Sequence, residues 1–183
     1  MTLIPEHRII ISPINELEAD LLRGIGDEVQ RVFGFAVEIE PLLDNVDFAY
    51  NADRAQYHTT PILDRLADLA PPHALRVAAV ARVDLFIPIL THVYGEAQLG
   101  GRACIVSTYR LDENLSPAAD SHILFQRVIK EAVHELGHTF DLRHCRDPQC
   151  IMHYCRAIED VDRKSNDLCR YCGVMLQDQL AKL

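Results

Sequence analysis

Between His134 and His144 the chain reads HELGHTFDLRH, which sets three imidazoles and one carboxylate at the spacing of a zinc site that performs chemistry. Two histidines four apart on a helix project from one face about a turn apart, so both rings reach a single ion at roughly 2.0–2.1 Å. Glu135 follows His134 and sits roughly 100° around the helix. There it is close enough to take a proton without entering the coordination shell, the position of a general base. His144 supplies a third ligand if the helix stops about one turn after His138 and the chain bends back toward the ion. Three protein ligands leave the fourth position for water, as catalytic zinc requires and structural zinc does not. The competing reading is a surface helix with scattered histidines in a chain that holds nine of them. A third histidine at this spacing, with Met152 soon after, weighs against it.

The cysteines form a second constellation. Cys145 and Cys150 stand five apart, as do Cys150 and Cys155, and Cys169 and Cys172 make a CxxC pair. Four thiolates hold zinc at about 2.3 Å in a closed tetrahedron with no room for substrate, so an ion there would be a staple. The chain after His144 needs one, because it is too short to bury an adequate core alone. Disulfides are the alternative, but nothing here resembles a secretory signal and a reducing cytosol disfavours such bonds. Spacing alone leaves the choice between Cys150 and Cys155 open. Cys104, inside an apolar run, reads as a small buried hydrophobe.

The string HExxHxxxxxH, then CxxxxCxM, then CxxC resembles the archaemetzincins, a branch of the metzincin metallopeptidases. The resemblance covers most of the chain, including residues 50–57 and 83–111, and its motifs are strong after Val133. It implies a catalytic zinc on His134, His138 and His144, and a second, structural zinc on Cys145, Cys150, Cys169 and Cys172. It also implies a Met-turn that puts the Met152 thioether beneath the first ion, and a role for Tyr154 in stabilising an oxyanion. A core methionine and a structural tyrosine are the plainer alternatives. The implied fold is α/β of the α+β metzincin kind: a twisted, mostly parallel five-stranded sheet with an antiparallel edge strand, a backing helix and an active-site helix, and a small zinc-stapled C-terminal subdomain ending in a helix. Residues 1–183 would form one catalytic domain, with an upper part to about residue 141 and a lower part from about 142. One position departs from the family motif: Asp141 stands where it has glycine. Aspartate enters the left-handed region more readily than most residues, so the turn stays feasible at modest strain. The alternative is a helix that runs on and leaves His144 pointing elsewhere.

These residues need elements to position them. Residues 8–14 are rich in isoleucine and read as a first strand; residues 16–33 carry Leu17, Leu21, Leu22, Ile25, Val29 and Val32 at helical spacing and stop at Gly34; residues 35–40 alternate as a second strand. The two strands of such a β-α-β unit run parallel. The acidic residues from Glu16 to Asp20 read as the solvated first turn. Residues 42–60 are polar and irregular, a long loop, and residues 61–69 a short helix. Residues 75–83 and 102–109 read as buried strands. Residues 94–99, bounded by Gly95 and Gly100-Gly101, read as an edge strand. Ser116-Pro117 is a good helix start, with the ligand-bearing helix running from there to Phe140 on a buried stripe of Ile129, Val133 and Leu136. A final helix from about Asn166 would carry Cys169 and Cys172 and pack through Val174, Leu176, Leu180 and Leu183.

Composition narrows the partners. The chain has 183 residues, is 49% hydrophobic and 25% charged, and carries a formal charge of −9. That is ordinary globular composition, and the negative charge argues against nucleic acid or an acidic membrane as partner. The most apolar stretch, residues 74–90, is broken by Arg76, Arg82, Asp84 and Pro88, so the expected protein is soluble and cytoplasmic, with peptide or protein as substrate. The expected function is zinc-dependent hydrolysis of peptide bonds with Glu135 as base, in the manner of an endo- or aminopeptidase. Two other classes stay open: a non-catalytic zinc protein that binds a partner's terminus at the open site, and a thiol-based sensor. Glu135 counts against the first, since a structural three-histidine site needs no carboxylate beside its open position.

Overall fold

The protein is described here by a computed structural model, which covers residues 7–116 and 120–183. Strand β1 (Arg8–Pro13), helix α1 (Ala19–Phe33) and strand β2 (Ala36–Ile39) form the expected parallel unit. The helix stops because Gly34 turns left-handed at φ 79° and its N–H donates to the Gln30 carbonyl at 2.9 Å. Strand β5 (Ala74–Ala81) pairs parallel with β1, and β8 (Ala103–Ser107) parallel with β5. Strand β7 (Gly95–Ala97) closes the edge antiparallel to β8, giving a five-stranded sheet in the order β2-β1-β5-β8-β7.

Both faces are covered because side chains alternate along a strand. Ile9, Ile11, Val80, Cys104 and Val106 point toward α1 and the long helix α3 (Ser121–Thr139), whose Val128, Ala132, Val133 and Leu136 are buried there. Ile10, Val77, Ala79 and Ile105 point to the other face, against Ile62, Leu63 and Leu66 of helix α2 (Thr59–Leu69). The expected stripe on α3 is therefore real, and Cys104 is buried as anticipated.

Several local expectations need correction. The segment expected as a long loop carries a turn of 3-10 helix (Asp47–Ala49) and strands β3 (Tyr50–Asn51) and β4 (Gln56–His58). With β6 (Leu85–Phe86) they make a small second sheet. Strands of two or three residues are too short to show a period, so pattern could not find them. Helix α3 begins at Ser121, with Asp120 before it; the expected Pro117 start lies outside the described residues, and Ser116 does not cap but donates its N–H to Asp120 Oδ2 at 2.9 Å.

After α3 come helix α4 (Ile158–Arg163) and helix α5 (Arg170–Leu180). Helix α5 buries Cys172 and Leu176, but Val174 and Leu183 are 55% and 59% exposed, contrary to expectation. Its inner face is narrow and one turn of it is given to cysteines. No described helix is long and apolar enough to cross a membrane.

Candidate active site

Helix α3 delivers His134, Glu135 and His138 to a cleft of about 670 Å³ beneath the β7 edge. The imidazoles are fixed from behind. His134 donates from Nδ1 to the Ile151 carbonyl at 2.8 Å, and His138 donates from Nδ1 to the Leu142 carbonyl at 2.7 Å. With the proton held at Nδ1, each ring turns a lone pair at Nε2 inward, the tautomer a metal requires.

His144 joins them because the helix ends on time. Asp141 adopts φ 61°, its N–H donates to the His138 carbonyl at 2.9 Å, and the Leu142 N–H reaches back to the Gly137 carbonyl at 3.1 Å. These bonds are a left-handed C-terminal cap built on aspartate in place of glycine. Replacing Asp141 by glycine should remove the strain of a side chain at positive φ and stabilise the protein by about 0.5–1 kcal/mol. A urea midpoint that falls in Asp141→Gly would show that the aspartate side chain does more than tolerate the turn.

The three Nε2 atoms converge, with His138 3.1 Å from His134 and 3.2 Å from His144. Lone pairs at that separation repel unless a cation lies between them. Ligands at about 2.0–2.1 Å around a tetrahedral ion stand roughly 3.3 Å apart, so the set fits zinc. Burial, then Glu131, raises the Glu135 carboxyl well above the ordinary carboxylate range, against the pull of Lys164. Met152 is fully buried under α3, where a Cβ on Gly137 would stand 2.5 Å from its Sδ. Glycine at the fourth place of the HExxH core thus makes room for the methionine. The Tyr154 ring lies 4.9 Å from the His144 ring, centroid to centroid, and is partly exposed at the cleft.

The four sulfurs of Cys145, Cys150, Cys169 and Cys172 lie within 4.8 Å of one another, and none is in a disulfide. Cys145 and Cys169 are 3.8 Å apart at sulfur, close to the roughly 3.8 Å edge of a tetrahedron of thiolates at about 2.3 Å from zinc. The Cys169 N–H, at the start of α5, donates to Cys150 Sγ at 3.3 Å, and the Cys172 N–H to Cys169 Sγ at 3.5 Å. Cys155, the alternative by spacing, falls outside this group and lines the cleft instead.

Sequence reasoning placed Gly95, Glu96 and Gly100 at the edge strand but missed how they meet Glu135 and its surroundings. Gly95 approaches so closely that a Cβ there would meet Glu135 Cγ at 2.7 Å, and Gly100 at the end of the edge donates its N–H to the His138 carbonyl at 2.9 Å. Glu96, on the opposite face of β7, accepts from the Thr59 hydroxyl, and burial lifts its carboxyl to about 7 from an ordinary 4.5. The folded protein therefore binds that proton more tightly than the unfolded chain. The associated stability is fully present below about 4.5 and is lost as pH rises through about 7. In zinc-saturated buffer, wild type should lose stability relative to Glu96→Gln across that window; parallel stability curves for the two proteins would contradict it.

Fold and site together define a metallopeptidase of the HExxH type built on an α/β sheet. Residues 22–178 match the model of Peptidase family M54. The archaemetzincin of Methanocaldococcus jannaschii is 36% identical over 175 residues, covering 94% of each chain. The crystal structure of archaemetzincin from Methanopyrus kandleri superposes with a TM-score of 0.86 at 31% identity, covering 98% of each chain. A structure described as a zinc-dependent peptidase from Methanocorpusculum labreanum gives 0.82 at 26% identity, covering 92% of this chain and 99% of that one. The chain belongs to peptidase family M54, the archaemetzincins, which are zinc metallopeptidases.

Proposed function

We propose that this protein hydrolyses peptide bonds in a zinc-dependent reaction, with His134, His138 and His144 as ligands and Glu135 as general base, while a second zinc on Cys145, Cys150, Cys169 and Cys172 is structural. The observation that carries this reading is the convergence of three Nε2 atoms at 3.1 and 3.2 Å beside a buried carboxylate.

Zinc in such a site lowers the pKa of a bound water to about 7 and polarises the scissile carbonyl. The protein's own groups do the rest. Edge strand β7 aligns the substrate. Tyr94 pairs with Ser107 and Gln98 with Ala103 through hydrogen bonds of 2.8 and 3.0 Å, which fixes the alternation along the ladder. Gly95 and Ala97 therefore turn their N–H and C=O groups away from β8, toward the open edge, where an extended peptide can pair with them. Glu135, buried under Gly95, takes the proton from the attacking water and returns it to the departing amine; its raised proton affinity suits it to both steps. Tyr154, which lines the cleft beside His144, would donate its phenol to the developing oxyanion. Met152 and the α3 backbone close the floor and exclude water.

Cysteines gathered at zinc spacing and free of disulfides suit a reducing compartment, which supports a cytoplasmic location. The test is a diverse peptide mixture incubated with zinc-loaded protein and analysed by mass spectrometry. Zinc-dependent cleavage is expected, and the fragments will distinguish trimming of ends from cuts in interiors. Absence of any zinc-dependent cleavage, across mixtures that include intact proteins, would overturn the proposal.

A further inference from the structure

Glu131 lies one helical turn before Glu135 on the same face of α3, where it lines the cleft together with Cys155, Tyr154 and Arg156. Its carboxylate is not alone. Lys164, the residue that ends α4, places Nζ 2.6 Å from Glu131 Oε1, with side-chain exposures of 0% for the lysine and 5% for the glutamate. The contact is charge against charge, and the same ammonium also lies beside the Cys155 thiol. One ammonium does not exhaust the acceptor sites of a carboxylate, so hydrogen-bonding capacity is left over inside the site.

Holding α4 against α3 does not explain this pair. That junction is already tied by Arg127 to Asp162 at 2.8 Å and by Lys130 Nζ to the Val161 and Asp162 carbonyls at 3.1 and 3.2 Å. A buried ion pair is also a poor stabiliser, because apolar side chains of similar volume usually serve a fold as well or better. Glu131 lines the reaction space instead, with the lysine buried away from it. Cys155 beside it is a neutral thiol, since burial and then Glu131 push it up to about 11 against the opposing pull of Lys164. The wall next to Glu135 thus consists of a carboxylate in front, an ammonium behind and a neutral sulfur at the side.

Building on the peptidase reading above, we propose that Glu131, backed by Lys164, selects substrate. The compartment beside Glu135 takes a side chain ending in a hydrogen-bond donor, an amide or a cation, and turns away carboxylates and aliphatic groups. An incoming chain that enters the compartment displaces water from the part of the glutamate that lines it. A donor satisfies the carboxylate oxygens; an aliphatic group strips them of water and offers nothing in return; a second carboxylate adds like charge. Lys164 compensates the buried charge and fixes the direction of the carboxylate, so the acceptor is in place before substrate arrives.

The test profiles cleavage of a peptide library by the zinc-loaded wild type, by the paired replacement Glu131→Leu with Lys164→Met, and by Glu131→Gln, with zinc content measured in each. At one position flanking the cut, the wild type should favour Gln, Asn, Lys and Arg over Asp, Glu, Leu and Val by about tenfold or more. In the paired variant that preference should collapse in favour of aliphatic residues. In Glu131→Gln, which keeps an acceptor and adds a donor, acidic residues should gain about tenfold relative to wild type. A wild type without donor preference, or either cleaving variant with an unchanged profile, overturns the proposal and leaves the peptidase reading intact. Failure of the wild type to cleave any peptide overturns both.

Discussion

Replacing Glu135 by alanine should leave both metal groups loaded and lower turnover by about 10²- to 10⁴-fold, the range a positioned general base contributes. The separation of binding from chemistry follows from geometry. The proposed ligand atoms are Nε2 of His134, His138 and His144, and the groups that orient the first two are the Ile151 and Leu142 carbonyls, none of which involves Glu135. Removing the carboxylate therefore leaves the ligand set and its tautomers in place. It takes away the acceptor beside the attacking water. Glu135→Gln should behave alike, since an amide matches the shape and cannot take the proton. Zinc content by elemental analysis and single-turnover rates check both halves. A variant that keeps wild-type turnover would remove Glu135 from the mechanism, and one that loses zinc as well would make it part of the metal shell.

The second large effect concerns the cysteine cluster. Cys169→Ser should cost several kcal/mol of stability, because a closed thiolate site supplies folding energy to a segment with little core of its own. The damage should travel. Cys145 follows His144 directly in the chain, its N–H donates to the Met152 carbonyl at 2.8 Å, and Ile151, which orients His134, lies between Cys150 and Met152. Loss of the cluster loosens the floor and one wall of the histidine site together, so zinc content should fall from two per chain to below one. Cys155→Ser, outside the cluster, should keep two. Limited proteolysis after residue 144 provides the parallel readout. A Cys169→Ser protein with two zinc ions and an unchanged melting temperature would contradict the staple.

The parts of this arrangement that could be read in the sequence are those written in consecutive residues. HELGHTFDLRH carries the three proposed ligands, the proposed base and the turn within one helix end, and fixed spacing on a helix converts directly to direction in space. The parallel unit of β1, α1 and β2 was legible for the same reason, through isoleucines in one run and leucines at helical intervals. The choice of Cys150 over Cys155 was not, because both are five residues from a neighbour and only folding decides which sulfur turns inward. Gly95 and Glu96 were legible as part of an edge strand, but their approach to Glu135 and Thr59, and the Glu131–Lys164 pair, were not: each acts across elements distant in the chain, and nothing in an isolated glycine or lysine announces its partner. The described helix α3 begins at Ser121, and Asp120 before it was not singled out because an aspartate shortly after a Ser-Pro pair is a weaker local signal.

The open edge at β7 has a cost that the protein must carry. Unpaired N–H and C=O groups that accept an extended peptide would accept a strand of any other molecule equally well, and exposed edges are where sheet proteins stick to one another. Here the edge is only three residues long and ends in the Gly100-Gly101 turn, which is anchored to the active-site helix through the His138 carbonyl. It also overlooks a cleft rather than open solvent, with Tyr154 and Arg156 on the facing wall. A flexible single chain can thread that slot, whereas the rigid rim of a second folded sheet cannot enter it. A cleft shaped to take an extended peptide would thus also hinder a second copy from pairing with the same groups.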